Sequence, residues 1–86
     1  MKIKDGFILK EMAGSWVVVP LGEKLVNFEM MMTLNETGAF LWEQLKEDKP
    51  EEELVAALLA EYNVEKEVAA KDVSEFVQKL KEKEVL

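Results

Sequence analysis

The apolar positions along the chain change period once, near residue 35. Upstream of that point, short apolar runs are separated by turn-forming residues. Phe7-Ile8-Leu9-Lys10-Glu11-Met12 predicts a first strand, and Ala13-Gly14-Ser15 a turn. Trp16-Val17-Val18-Val19-Pro20 is aromatic and β-branched and predicts a second strand, spaced from the first as a hairpin. Pro20 and Gly22 end it, because Pro donates nothing to a ladder and Gly permits a turn. Residues 23–29 are ambiguous. Val26 and Phe28 alternate with Asn27 and Glu29, which suits either a strand or a loop anchored by Phe28. Met30, Met31, Met32, Thr33 and Leu34 form a short apolar run bounded by polar residues, and predict a third strand.

Downstream, Leu34, Gly38, Leu41 and Leu45 recur at helical spacing. Two start signals overlap at the junction. Thr33 and Glu36 stand three apart, as in a capping box, and Asn35 is itself a strong N-cap type. The first helix is expected over residues 35–46, its apolar arc centred on Leu41 and Leu45 and flanked by Phe40 and Trp42. These two aromatics are better explained by core packing than by a stacking platform. After a polar link, a second helix is expected from Pro50, which suits the first helical position. Glu51, Glu52 and Glu53 follow where the helix dipole favours negative charge. Leu54, Val55, Leu58, Leu59 and Tyr62 form its buried stripe, and Asn63 is a candidate left-handed terminator. A third helix starts between Glu65 and Ala69 and runs to about residue 83, with Ala69, Val73, Phe76, Val77 and Leu80 on its apolar face. Val85 and Leu86 are expected to dock on the core.

Three strands followed by three helices predict an α+β fold, with a three-stranded antiparallel sheet and a helix-turn-helix-like pair. The expected core includes Val18, Leu34, Leu41, Leu45, Leu58, Val73 and Leu80. With 86 residues, one domain spanning residues 1–86 is expected. Folding at this size buries roughly 60% of the unfolded surface, enough for one modest core.

Composition narrows the chemistry. The chain has no Cys and no His, so disulfides, zinc sites of the usual kinds and Ser-His or Cys-His nucleophile pairs are excluded. The remaining candidates for catalysis, carboxylates, Lys, Tyr62 and hydroxyls, show no paired-carboxylate spacing, and neither a metal nor a cofactor is expected. All eleven basic residues are Lys, and the net charge is −7. Without Arg the chain lacks the planar fork that grips phosphate and guanine, and duplex DNA would be repelled over most of the surface. No stretch approaches the ~20 apolar residues of a membrane span. The N-terminus lacks the apolar segment of a signal peptide, so a cytoplasmic protein is expected.

The third strand and third helix carry the candidate binding chemistry. The run from Met30 to Leu34 contains neither Pro nor Lys, the usual blunting residues of a sheet edge. Three consecutive Met residues place Met on both faces, and exposed Met suits varied apolar partners. The plain alternative is that two of them fill the core and a helix covers the third. On the third helix, Asp72, Phe76, Lys79 and Lys83 share one edge, while Lys81 lies on the opposite edge. A solvated face is the better explanation of these lysines, since cations are favoured at a helix C-terminus; the functional reading is that one edge holds acidic residues of a peptide. An exposed edge strand could also pair with a second copy, giving a homodimer.

Leu34-Asn35-Glu36-Thr37-Gly38-Ala39-Phe40-Leu41-Trp42-Glu43-Gln44-Leu45 resembles the central motif of the PqqD-like family. Val17-Val18-Val19-Pro20-Leu21-Gly22 is similar to its second strand and turn. Glu52-Glu53-Leu54 with Leu58-Leu59-Ala60-Glu61-Tyr62 resembles its second helix, and Asp72-Val73, Phe76-Val77 and Leu80 its third. The resemblance covers about residues 3–86. It departs at Glu84, where the family would place Gly before a final apolar pair. The resemblance implies a winged-helix-like RiPP recognition element, a non-catalytic peptide chaperone for natural-product biosynthesis. Such a domain binds the leader segment of a ribosomally made precursor peptide as an added strand along the third strand, against the third helix. It then presents the peptide to a modifying enzyme, often a radical-SAM protein. The expected peptide-binding residues are Met30, Met31, Met32, Thr33, Leu34, Asp72, Phe76, Lys79 and Lys83. The alternative is a winged-helix regulator that binds DNA or another protein; the charge argues against its DNA-binding form.

Overall fold

The sheet begins from a tight turn. In the computed structural model, which describes residues 1–22 and 31–86, β1 (Phe7–Met12) pairs antiparallel with β2 (Ser15–Pro20), with Met12 opposite Ser15. The two residues between them, Ala13 (φ 52°) and Gly14 (φ 81°), are both left-handed. A two-residue turn of that hand matches the twist of the flanking strands. β3 (Met32–Leu34) joins the other side of β2, giving the order β1-β2-β3. Alternation sends Phe7, Val18, Met32 and Leu34 inward, where they are buried, and leaves Ile8 and Thr33 exposed.

β3 is shorter than the expected run of residues 30–34. Its register with β2 pairs Trp16 with Leu34, Val17 with Thr33 and Val18 with Met32. Two steps further along β2 stands Pro20, which has no N–H to donate to a ladder. Met31 precedes the strand and is exposed. Met30 and the ambiguous residues 23–29 lie outside the described residues.

α1 (Glu36–Gln44) resolves the two overlapping start signals. The Asn35 Oδ1 accepts from the Gly38 N–H at 2.7 Å, while Thr33 lies within β3. α2 (Glu51–Glu61) has Pro50 as its N-cap and not as its first helical residue, so it starts one residue later than expected. It ends earlier than expected, and not through a left-handed Asn63. Tyr62 is extended (φ −121°, ψ 149°) and sets its ring edge-on to Phe40, with centroids 5.6 Å apart and planes at 89°. Among the described residues the left-handed non-glycine positions are Ala13 and Glu84. α3 (Lys66–Glu82) begins after Glu65 and packs chiefly on α2.

All seven expected core residues are buried, joined by Trp42, Leu54, Val77 and Val85; Phe40 and Leu86 pack on the edge of the same cluster. The first residues strap the two ends of the helical layer together. Ile3 N–H donates to the Leu45 carbonyl at 3.0 Å, and Lys4 N–H to the Val85 carbonyl at 2.8 Å. The Met1 ammonium meets Asp48 at 2.7 Å, and this bond and charge hold the Asp48 carboxyl below its ordinary range. Among the described residues no helix is long and apolar enough to cross a membrane.

Candidate functional site

β3 and α3 face one another across a cleft of about 410 Å³. Thr33 and Leu34 form one wall and lead into Asn35. Thr37, Gly38 and Leu41 from the first turns of α1 close it behind. The opposite wall is one edge of α3: Asp72, Glu75, Phe76 and Lys79. These residues share a face because they are spaced three or four apart, or adjacent, on a 3.6-residue turn. Leu34, Leu41 and Phe76 are almost fully buried, so the depth of the cleft is apolar. Its rim is charged, with the Asp72 and Glu75 carboxylates and the Lys79 ammonium on the α3 wall, Lys79 reaching Thr33.

Gly38 allows the close approach of α1 to the strand end. A Cβ there would sit 3.1 Å from the Leu34 Cβ and 3.2 Å from the Asn35 Oδ1, pressing on both the wall and the helix cap. The cap is therefore part of the site's architecture, since Asn35 starts α1 where β3 stops.

Among the described residues β3 is an edge strand, and the orientation of its backbone follows from one contact. Lys79 Nζ donates to the Thr33 carbonyl at 3.3 Å, reaching across from α3. That carbonyl therefore lies on the side of β3 away from β2. In an antiparallel ladder each residue directs its N–H and C=O to the same side, and neighbours alternate. Met32 and Leu34 thus pair with Val18 and Trp16, while Thr33 presents both donor and acceptor to the open edge.

Of the expected site residues, Thr33, Leu34, Asp72, Phe76 and Lys79 are brought together in the cleft. Met32 is 5% exposed and belongs to the core, so its side chain contributes to the cleft only by holding the strand in place. Met31 is exposed beside the strand. Lys83 is half-buried and does not line the cleft. Reasoning from the sequence missed Asn35, Thr37, Gly38, Leu41 and Glu75 as wall residues. Glu75 had a signal, since it stands three residues after Asp72 and four before Lys79. A second cleft of about 670 Å³ shares Thr33, Leu34 and Asn35 and opens toward the hairpin turn at Gly14 and Trp16. Among the described residues no three His, Cys, Asp or Glu side chains converge as metal ligands would.

A search of curated proteins returns no match. The chain is similar to a solved structure described as TbiB1 in complex with the TbiA(beta) leader peptide, with 30% identity and a TM-score of 0.76 over 100% of this chain and 94% of that one. It shares its fold with a second, lasso peptide synthetase B1 complexed with the leader peptide, at 22% identity and a TM-score of 0.70 over 94% of this chain and 89% of that one. The family model for coenzyme PQQ synthesis protein D (PqqD) matches residues 15–86, and with that match the chain belongs to the PqqD family.

Proposed function

We propose that this chain is a non-catalytic adaptor that binds the leader segment of a ribosomally synthesised precursor peptide and presents it to a modifying enzyme. The leader adds as a strand to the open edge of β3 and lies against Asp72, Phe76 and Lys79 on α3. The observation that carries this reading is the backbone of Thr33. Its N–H and C=O face a cleft with an apolar depth and a charged rim, on a strand with no Pro or Lys to blunt it. Strand addition takes affinity from such backbone groups and selectivity from the pockets beside them. The complexes of the similar chains with leader peptides support the same choice of ligand. A partner of the radical-SAM class or another peptide-modifying class would act on the presented segment. The adaptor itself has neither His nor Cys with which to do so.

The test is a titration of the domain with a labelled precursor encoded beside it, full-length and with the leader removed. Saturable binding of the full-length peptide and none of the leaderless one is expected. Equal binding of both, or of neither, overturns the proposal.

A further inference from the structure

The ammonium of Lys79 rests on a backbone carbonyl although carboxylates stand near it. Glu75 precedes it by one helical turn, Asp72 lies two turns back, and yet the contact made is with Thr33 at 3.3 Å. Among the described residues Lys79 forms no ion pair. The bond to the carbonyl is charge-assisted on one side only, and a carboxylate in its place would add the attraction of two opposite charges. Thr33's carbonyl is also an acceptor that an incoming strand needs. Lys79 therefore occupies the docking edge in the free domain, in the way that edge lysines discourage unwanted strand pairing.

Resting on the peptide-binding reading above, we infer that Lys79 is a displaceable guard of the β3 edge. It gives up the Thr33 carbonyl to a peptide N–H more readily where that peptide offers a carboxylate in exchange. The exchange keeps every group paired. The Thr33 carbonyl passes from the ammonium to the peptide amide, and the ammonium passes from the carbonyl to the peptide's Asp or Glu. A peptide with no acid at that point leaves Lys79 without a partner beside the new strand.

The position of the acid follows from strand alternation. The peptide residue directly opposite Thr33 shares its outward face, because paired residues point the same way. Lys79 approaches from α3, which lies on the inner face with Phe76. The acid must then be an immediate neighbour of the residue opposite Thr33. The next inward-facing position, two residues along, lies over Leu34 and Phe76 and takes an apolar side chain. The selected pattern is an apolar residue and an acid separated by one residue, apolar first if the peptide runs antiparallel to β3 and acid first if it runs parallel.

Selection from a random peptide library displayed on mRNA, with sequencing of the bound pool, tests this directly. The parent domain is compared with Lys79→Met and Lys79→Glu, each shown to be folded by circular dichroism. The parent should enrich an acid two positions from an apolar residue by about two- to fivefold, the range of an exposed ion pair. Lys79→Met should lose the acidic preference and keep the apolar one, and Lys79→Glu should turn the preference toward Lys or Arg. If Lys79→Met enriches acids as the parent does, or the parent enriches apolar residues without acids, the guard is refuted while peptide binding stands. If the parent enriches no pattern at all, both the guard and the peptide-binding reading fall.

Discussion

Val85 donates its N–H to the Leu80 carbonyl at 2.9 Å across the end of α3, and both side chains are fully buried. The residue between strand-like tail and helix, Glu84, donates to the Lys81 carbonyl at 3.1 Å and has φ 59°. This is the six-to-one and five-to-two pairing of a Schellman helix end, with its apolar contact between Val85 and Leu80. Glu84 is also the position at which the sequence resemblance leads one to expect Gly. Its backbone has the left-handed conformation that glycine adopts freely, and the Glu carries the cost of a left-handed L-residue.

Glu84→Gly should therefore stabilise the domain by about 1 kcal/mol, the scale of the steric penalty removed less the entropy that Gly adds to the unfolded chain. Chemical denaturation would measure it as a raised midpoint at unchanged slope. A lowered midpoint would mean that the Glu side chain contributes more than the strain it causes.

Leu41 sits 1% exposed at the point where α1 meets both the core and the floor of the cleft. Leu41→Ala should cost roughly 2–5 kcal/mol, as buried large-to-small changes do. Urea unfolding by tryptophan fluorescence would follow it, because Trp42 is buried in the same cluster. A shift within error would place Leu41 outside the cooperative core.

The Tyr62 hydroxyl has its ionisation pushed up from the ordinary 10.0, first by burial and then by the carboxylates of Glu36 and Glu61. The folded chain thus keeps this proton to a higher pH than the unfolded chain. Stability is unaffected below 10.0, falls as pH rises past it, and stops falling once the folded value is passed. Tyr62→Phe keeps the edge-on contact with Phe40 and removes the ionisation. Denaturation midpoints of the two proteins should run parallel below about pH 9 and diverge above pH 10, the parent losing more. Parallel curves throughout would mean that Tyr62 ionises as freely in the folded chain as in the unfolded one.

Much of this fold is legible locally. The alternation in residues 7–12 and 16–20 and the helical spacing after Asn35 each need only a few neighbouring residues to be read, and they yielded the elements in order. The failures are where distant residues decide. Nothing near Met31 marks the start of β3 at Met32, and the Pro20 that cannot donate to a ladder lies on the paired strand. Nothing near Asn63 ends α2 early; Tyr62 turns out to meet Phe40. The site divides the same way. The shared edge of Asp72, Phe76 and Lys79 follows from helical spacing, whereas the bond from Lys79 to Thr33 joins residues 46 apart in the chain. Its geometry depends on how α3 is laid on the sheet.

Thr33 offers the sharpest separation of fold from binding. Its N–H and C=O face the open edge, so neither serves the ladder with β2. Pro is tolerated at such edge positions, where the missing N–H faces outward, and it biases the preceding residue toward the extended conformation Met32 already has. Thr33→Pro should then leave the circular dichroism spectrum intact and the melting temperature close to that of the parent. Binding is another matter, because an added strand would lose one amide donor and meet the proline ring at the pairing line. The lost bond alone is worth about 1 kcal/mol, and the steric block adds to it, so affinity for the leader should fall tenfold or more. Thr33→Val keeps the N–H and the extended backbone, and should bind as the parent does. Fluorescence titration with the labelled leader compares the three. If Thr33→Pro, still folded, binds as tightly as Thr33→Val, the leader does not pair with the backbone of β3, and the proposed docking edge is wrong.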